Sequence, residues 1–271
     1  MNSTDHGLTW STQEVITLAD PAANQTEPWG GGNRTFGGGL ASGIALQGGP
    51  HKGRLLAALR HDCGCNDEPA SFAVFSDDHG ATWSGGALLP EPGEHFPGMP
   101  PGKPNQTNGA LGGWTECQVA ELKNGSVLLT SRNLYNTKSG LGGRMFARSD
   151  DGGANWAQIW SVVNDENLGL TSTYCEASMV AIPEKGELYF GQPSAGGRRR
   201  NYVVSSSSDG WVWENVKDVW SGGAAYSDLT ITKHGNLGFV FERGYSDREP
   251  YVWLTFGKIP LNSSRQSPAE N

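Results

Sequence analysis

The chain has 271 residues, enough for one large all-β domain or two smaller ones, and carries 28 acidic against 20 basic side chains. That balance excludes a partner held chiefly through phosphates, so no nucleic acid is expected. No apolar run approaches the roughly 20 residues of a membrane span, and 39 glycines, 15 prolines and 10 tryptophans among short apolar runs read as many turns in an all-β protein.

The first clear unit is Ser3-Thr4-Asp5-His6-Gly7-Leu8-Thr9-Trp10. It returns as Ser76-Asp77-Asp78-His79-Gly80-Ala81-Thr82-Trp83 and as Ser149-Asp150-Asp151-Gly152-Gly153-Ala154-Asn155-Trp156, with a shorter copy at Ser207-Ser208-Asp209-Gly210-Trp211-Val212-Trp213. The shared pattern, S-x-D-x-G-x-x-W, is an internal repeat with a local mechanism. Asp bonds turn amides, Gly accepts a positive φ, and Trp packs on the hairpin below. Asp5, Asp77, Asp150 and Asp209 are therefore read as structural turn residues. The copies stand further apart than one four-stranded repeat unit of roughly 50 residues, so some units are expected to lack this box-like copy.

Between the boxes, short apolar runs alternate with Gly, Pro, Asp or Asn. Leu40–Leu46, Gly53–Leu59, Ser71–Phe75, Met145–Arg148, Ala177–Ile182, Glu187–Phe190, Tyr202–Ser206, Leu229–Thr232, Leu237–Glu242 and Val252–Phe256 read as strands. Ala23–Gly39 and Pro90–Gly113 read as long surface loops. Residues 261–271 read as a flexible polar tail after one domain spanning 1–260.

Four cysteines, with Cys63 and Cys65 close together and Cys117 and Cys175 in apparent strands, give no zinc spacing, so no metal is expected. His51, His61, His95 and His234 have no ligand-like spacing and read as surface or structural residues. Six N-x-S/T sequons, at Asn2, Asn24, Asn33, Asn105, Asn124 and Asn262, point to a secretory-pathway lumen, lysosomal or extracellular.

Gly113-Trp114-Thr115-Glu116-Cys117-Gln118 leads through an Asn-Gly turn at Asn124-Gly125 into a second strand ending Ser131-Arg132-Asn133. Such a hairpin sets the Glu116 carboxylate and the Arg132 guanidinium at one end of a β unit. By itself this pair reads equally as a structural ion pair. Further on lie Arg198-Arg199-Arg200-Asn201, Ala224-Ala225-Tyr226-Ser227-Asp228 after a Gly-rich turn, and Phe241-Glu242-Arg243 at a strand end.

With the boxes, this ordered set of Glu, Arg, Arg, Tyr and Glu resembles the exo-α-sialidases (neuraminidases) of the Asp-box family, and is most similar to the lysosomal type. The resemblance implies an all-β, six-bladed β-propeller. It implies hydrolysis of terminal α-linked sialic acids from glycoproteins, glycolipids and oligosaccharides, with retention and with no cofactor. Tyr226 then matches the nucleophile and Glu116 its base. Arg132 matches the second of three arginines that grip the sialic acid carboxylate, and Arg199 the third, with Arg198 as runner-up. Glu242 matches the acid that orients the first arginine. The chemistry asks for these types: Arg meets a carboxylate in bidentate geometry, and a phenol avoids the repulsion an anionic nucleophile would meet, which is why sialidases depart from the two-carboxylate rule.

The family's Phe-Arg-Ile-Pro motif and the Asp acid/base after it are not in this sequence. The expectation is a propeller incomplete at its N-terminal side, holding four to five blades, whose isolated activity is nearly absent. The expected partner is a sialylated glycoconjugate, reached in a lumen or at a membrane-surface glycolipid. The alternative is a non-catalytic glycan-binding propeller.

Overall fold

The computed structural model describes residues 3–5, 7–12, 18–19, 35–38, 42–62, 70–89, 113–133, 144–162, 170, 175–196 and 198–261. Most of the two expected loops, Cys63, Cys65, His95, five of the six sequons and all but one residue of the expected tail lie outside this set.

Antiparallel meanders account for the described chain. In the first blade, β2 (Thr35–Gly38) and β3 (Ile44–Ala45) share the inner edge of β4 (Leu55–Asp62), followed outward by β5 (Ala70–Ser76) and β6 (Trp83–Gly85). β1 (Leu18–Ala19) adds in parallel outside β6. The second blade runs outward from β7 (Trp114–Glu121) through β8 (Val127–Asn133) and β9 (Arg144–Ser149) to β10 (Gln158–Val162). The third comprises β11 (Ser178–Ile182), β12 (Glu187–Pro193), β13 (Arg200–Ser207) and the first half of β14 (Glu214–Ile231). The second half of β14 is the inner strand of a fourth blade, continued by β15 (Asn236–Gly244) and β16 (Trp253–Pro260).

The period-two pattern explains the stacking. Along β8, Val127 and Leu129 face the core shared with the first blade, while Leu128 faces the core shared with the third. Met145 and Ala147 against Phe146 on β9, and Ile159 against Trp160 on β10, divide in the same way. A sheet buried on both faces reads as continuous apolar sequence rather than as an alternation, and every residue of β7 and β8 is buried. A third core, around Tyr202, Phe239 and Phe241, joins the third and fourth blades. Inner-strand residues Ile44, Val119, Met179 and Leu229 line a cavity of about 190 Å³. This is the architecture of a β-propeller.

Two expectations need correction. The Gly-rich segment before Ala224 is no turn: Ser221, Gly222 and Gly223 lie inside the 18-residue β14. A Cβ on Gly223 would stand 2.2 Å from the Ser246 carbonyl oxygen, so a close backbone approach asks for Gly there. Likewise Thr35–Gly38, expected in a loop, pairs with β4.

The boxes at Ser76, Ser149 and Ser207 join the third and fourth strands of the first three blades, the one at Ser3 precedes β1, and among them the assigned aspartates shift. Asp5 accepts from the Thr9 N–H (2.9 Å) and Thr9 hydroxyl (2.5 Å), and Asp209 from the Trp211 N–H (2.8 Å). In the middle two copies that role belongs to Asp78, bonded to Thr82, and to Asp151, bonded to Asn155. Asp77 and Asp150 occupy the variable position one residue earlier. Asp77 forms a two-pronged pair with Arg54 (2.8 Å on each), whose other nitrogen donates to the Asp151 and Gly152 carbonyls. Asp150 meets Arg148 at 3.1 Å on the surface. The box glycines also carry blade packing. A Cβ on Gly153 (φ 90°) would sit 2.7 Å from Leu56, and one on Gly210 (φ 81°) 2.5 Å from Leu128, each in the preceding blade.

Asp151→Ala removes bonds that a turn backbone cannot replace, at about 1–2 kcal/mol, and should lower Tm by roughly 2–6 °C. Asp150→Ala removes only a surface pair and should leave Tm within about 1 °C. Thermal unfolding of the two variants checks the reassignment. The carboxyls of Asp5, Asp78 and Asp151 have folded pKa values below the usual range, down to about 2 for Asp5 and Asp78 because of their Thr partners. Their contribution is therefore present above about pH 4 and is lost as pH falls toward 2.

Candidate active site

Two backbone irregularities build the site. In the β7–β8 ladder the register slips between Thr115 and Cys117, leaving Glu116 unpaired on a bulge with φ 47°. A left-handed φ is costly for a residue with a Cβ, and a bulge re-aims a side chain away from the strand's alternation. The Ser131 hydroxyl fills the gap, accepting from the Thr115 N–H (2.9 Å) and donating to the Thr115 carbonyl (2.8 Å). In the β14–β15 ladder the register slips between Ala224 and Ser227, which frees Tyr226 in the same way.

The two freed side chains meet. The Tyr226 hydroxyl donates to the Glu116 carboxylate, which on its other side takes two contacts from Arg132 Nη1, at 2.9 and 2.8 Å. Glu116 and Arg132 are only 5% and 8% exposed, so this ion pair is largely removed from water. Burial pushes the Tyr226 phenol well above its ordinary value, and its bond to Glu116 pushes it further. The resting arrangement is thus a neutral phenol hydrogen-bonded to a carboxylate that is paired with Arg132.

Arg199 stands 5.6 Å from the centroid of the Tyr226 ring and donates to the Tyr251 hydroxyl. Its carbonyl accepts from the Ala224 N–H at 2.9 Å, which pins it beside the start of the fourth blade's inner strand. Arg198 points outward, 3.8 Å from Asp247, and Arg200 donates to the Ser221 carbonyl (3.3 Å). Glu242 accepts from the Tyr226 backbone N–H at 3.1 Å. Glu116, Arg132, Arg199, Tyr226 and Glu242 are therefore brought together, and Arg198 is not.

The sequence reading overlooked two residues. Arg144 pairs with Arg132 across β8 and β9, is fully buried, and donates to the Cys175 carbonyl at 2.6 Å, with its guanidinium 5.5 Å from the Phe190 ring. Among the described residues its Nε and Nη1 have no hydrogen-bond partner. Glu176 is 2% exposed, precedes the inner strand of the third blade, and accepts from the Ser227 N–H at 2.9 Å. The available signal was a lone carboxylate directly before an apolar run, the same signal that marks Glu116. Cys117 and Cys175 are free and buried, and burial pushes their thiols up to about 11 and about 12. They are inert at neutral pH.

The BNR repeat-like domain family matches residues 1–239. A Sialidase from Micromonospora viridifaciens is 29% identical over 89% of this chain and 33% of its own length. Sialidase-2 of Cricetulus griseus is 29% identical over 94% of this chain and 63% of its own. Sialidase-4 of Homo sapiens is 30% identical over 67% and 32%. The chain thus spans from about a third to under two thirds of these relatives. Among solved structures, the intramolecular trans-sialidase from Ruminococcus gnavus in complex with oseltamivir carboxylate superposes with a TM-score of 0.64, at 21% identity over 98% of this chain and 50% of that one. The Hadza microbial sialidase Hz136 gives 0.57, at 24% identity over 83% and 38%. With the repeat-family match over most of its length and sialidases as its relatives, the chain belongs to the BNR-repeat sialidase family.

Proposed function

We propose that the protein is an exo-α-sialidase that releases terminal α-linked sialic acid with retention through a covalent Tyr226 intermediate. The observation that carries this reading is the buried relay from Arg132 to Glu116 to Tyr226. Arg132 and Arg199 would receive the sugar carboxylate. Glu116 would take the phenol proton as Tyr226 Oη bonds to the anomeric carbon and the bond to the aglycone oxygen breaks. Water would then attack the same carbon and displace Tyr226, which regains its proton from Glu116. Two displacements at one carbon restore its configuration. The departing aglycone oxygen takes up a proton and the attacking water gives one up, so a separate acid/base group would donate that proton and then recover it, typically a 10²–10⁴-fold effect. The expected substrates are sialylated glycoproteins, glycolipids and oligosaccharides.

The finer architecture belongs to the same proposal: a six-bladed propeller in one domain over 1–260, incomplete at its N-terminal side. Support comes from the outer face of the fourth blade, where Leu254 and Phe256 are 77% and 70% exposed. In the second and third blades the equivalent face is covered by the next sheet. A lumenal, lysosomal or extracellular setting is also proposed. Its support is the Asn124 sequon, which stands exposed on the β7–β8 turn.

A 3-fluorosialosyl fluoride tests the nucleophile without the acid, because fluoride leaves without a proton. Peptide mass spectrometry should find the fluorosialosyl adduct on Tyr226. Tyr226→Phe should abolish labelling, and Glu116→Gln should slow it by roughly 10²–10⁴-fold. An adduct on another residue would overturn the assignment. Binding of the probe with no adduct would favour a glycan-binding propeller instead.

Arg132→Lys keeps the charge but loses the fork that meets a carboxylate in two bonds. It should raise KM for a fluorogenic sialoside by about tenfold or more. An unchanged KM would remove Arg132 from the carboxylate site.

A further inference from the structure

Glu176 lies where three blades meet. Its carboxylate caps the Ser227 N–H of the fourth blade (2.9 Å) from a position at the head of the third. The neighbouring Cys175 carbonyl accepts from Arg144 of the second. Ser227 directly follows Tyr226 at the β14 register slip, so this bond holds the backbone that presents the phenol. The corresponding inner-strand heads of the second and fourth blades carry Glu116 and Tyr226. Glu176 occupies the third such position and has no part in the reaction as written above.

We propose that Glu176 is a positioning residue of the sialic acid pocket: as a neutral acid it braces the Tyr226–Ser227 backbone, and as an anion it repels the substrate carboxylate. The inference rests on the sialidase reading. The groups around Glu176 are Glu116 on β7, Arg144 on β9, Tyr202 on β13, Cys175 beside it, and Asp228 on β14. Burial dominates and raises the Glu176 carboxyl to about 8, with the Ser227 N–H bond and then Arg144 opposing and Glu116 and Asp228 adding to the rise. Its nearest titratable neighbours do not change charge near there: Cys175 is held up to about 12, Arg144 stays cationic to about 10, and burial keeps the Tyr202 phenol well above its ordinary value. Passage through pH 8 therefore adds one negative charge beside the anion pocket.

The test uses the unsaturated glycal of N-acetylneuraminic acid, an anion that binds without turnover, measured by calorimetry from pH 6.5 to pH 9.5. In the wild type, affinity should fall about tenfold across that range, as one unit charge a few side chains away requires. In Glu176→Gln the fall should be lost, since the amide has no proton to release. Tm is followed in parallel. A carboxyl whose folded pKa exceeds its unfolded one loses stability as pH rises from about 4.5 to about 8, so the wild type should fall relative to Glu176→Gln across that window. The same fall in affinity in both proteins overturns the proposal, and if the Tm curves still diverge, Glu176 is structural only. Absence of glycal binding by both proteins at pH 6.5 overturns the sialidase reading, and this inference with it.

Discussion

The site depends on one carboxylate that serves two partners. Glu116 faces a guanidinium on one side and a phenol on the other, and it reaches both only because its backbone leaves the strand conformation. A carboxylate that is 5% exposed would be expensive to hold without Arg132, and Arg132 would be equally expensive without Glu116. The strained φ is held in place by the ladder on both sides of the bulge and by the Ser131 hydroxyl within it. Local strain, ion pairing and the orientation of the phenol acceptor are thus one feature.

The propeller supplies what a single hairpin cannot. Glu116 and Tyr226 are 110 residues apart, on inner strands of different blades. The chain bridges the gap by stacking sheets whose alternate residues feed two separate cores. Continuity of β14 matters most here. Because the outer strand of the third blade runs unbroken into the inner strand of the fourth, packing at Tyr202 and Phe241 fixes where Tyr226 emerges. Those two rings stack at 4.5 Å with an interplanar angle of 5°. A loop at residues 221–223 would have left that emergence soft.

Much of this was legible in the residues. The box repeat announced hairpins, and its Trp156 and Trp213 do pack in the cores on either side of the second blade, while Trp160 and Trp211, outside the repeat's Trp position, stack at 3.8 Å in the second of them. The grouping of Glu116 with Arg132 followed from hairpin arithmetic, since both lie at one end of β7–β8. Two things were not legible. The bulge at Glu116 comes from a mismatch between two strands and leaves no mark on either alone. Asp78, by contrast, could be read from the repeat itself, which puts the turn aspartate two residues after Ser76 and leaves Asp77 to the Arg54 clamp. The buried Arg144 and Glu176 gave no periodic signal, because an isolated charge within an apolar segment looks the same whether it faces solvent or the axis.

The charge distribution resolves an apparent conflict. A chain with net charge −8 should repel an anionic sugar at long range. At physiological salt, however, exposed charges are screened beyond about 8 Å, so the distant acidic surface contributes little at the pocket. What remains is local: Arg132 and Arg199 lie beside the Tyr226 phenol, Glu116 is paired with Arg132, and burial raises the Glu176 carboxyl to about 8. Arg144 lies too deep to touch a ligand. Arg132 and Arg199 present the charge, and the buried groups behind them set its sign.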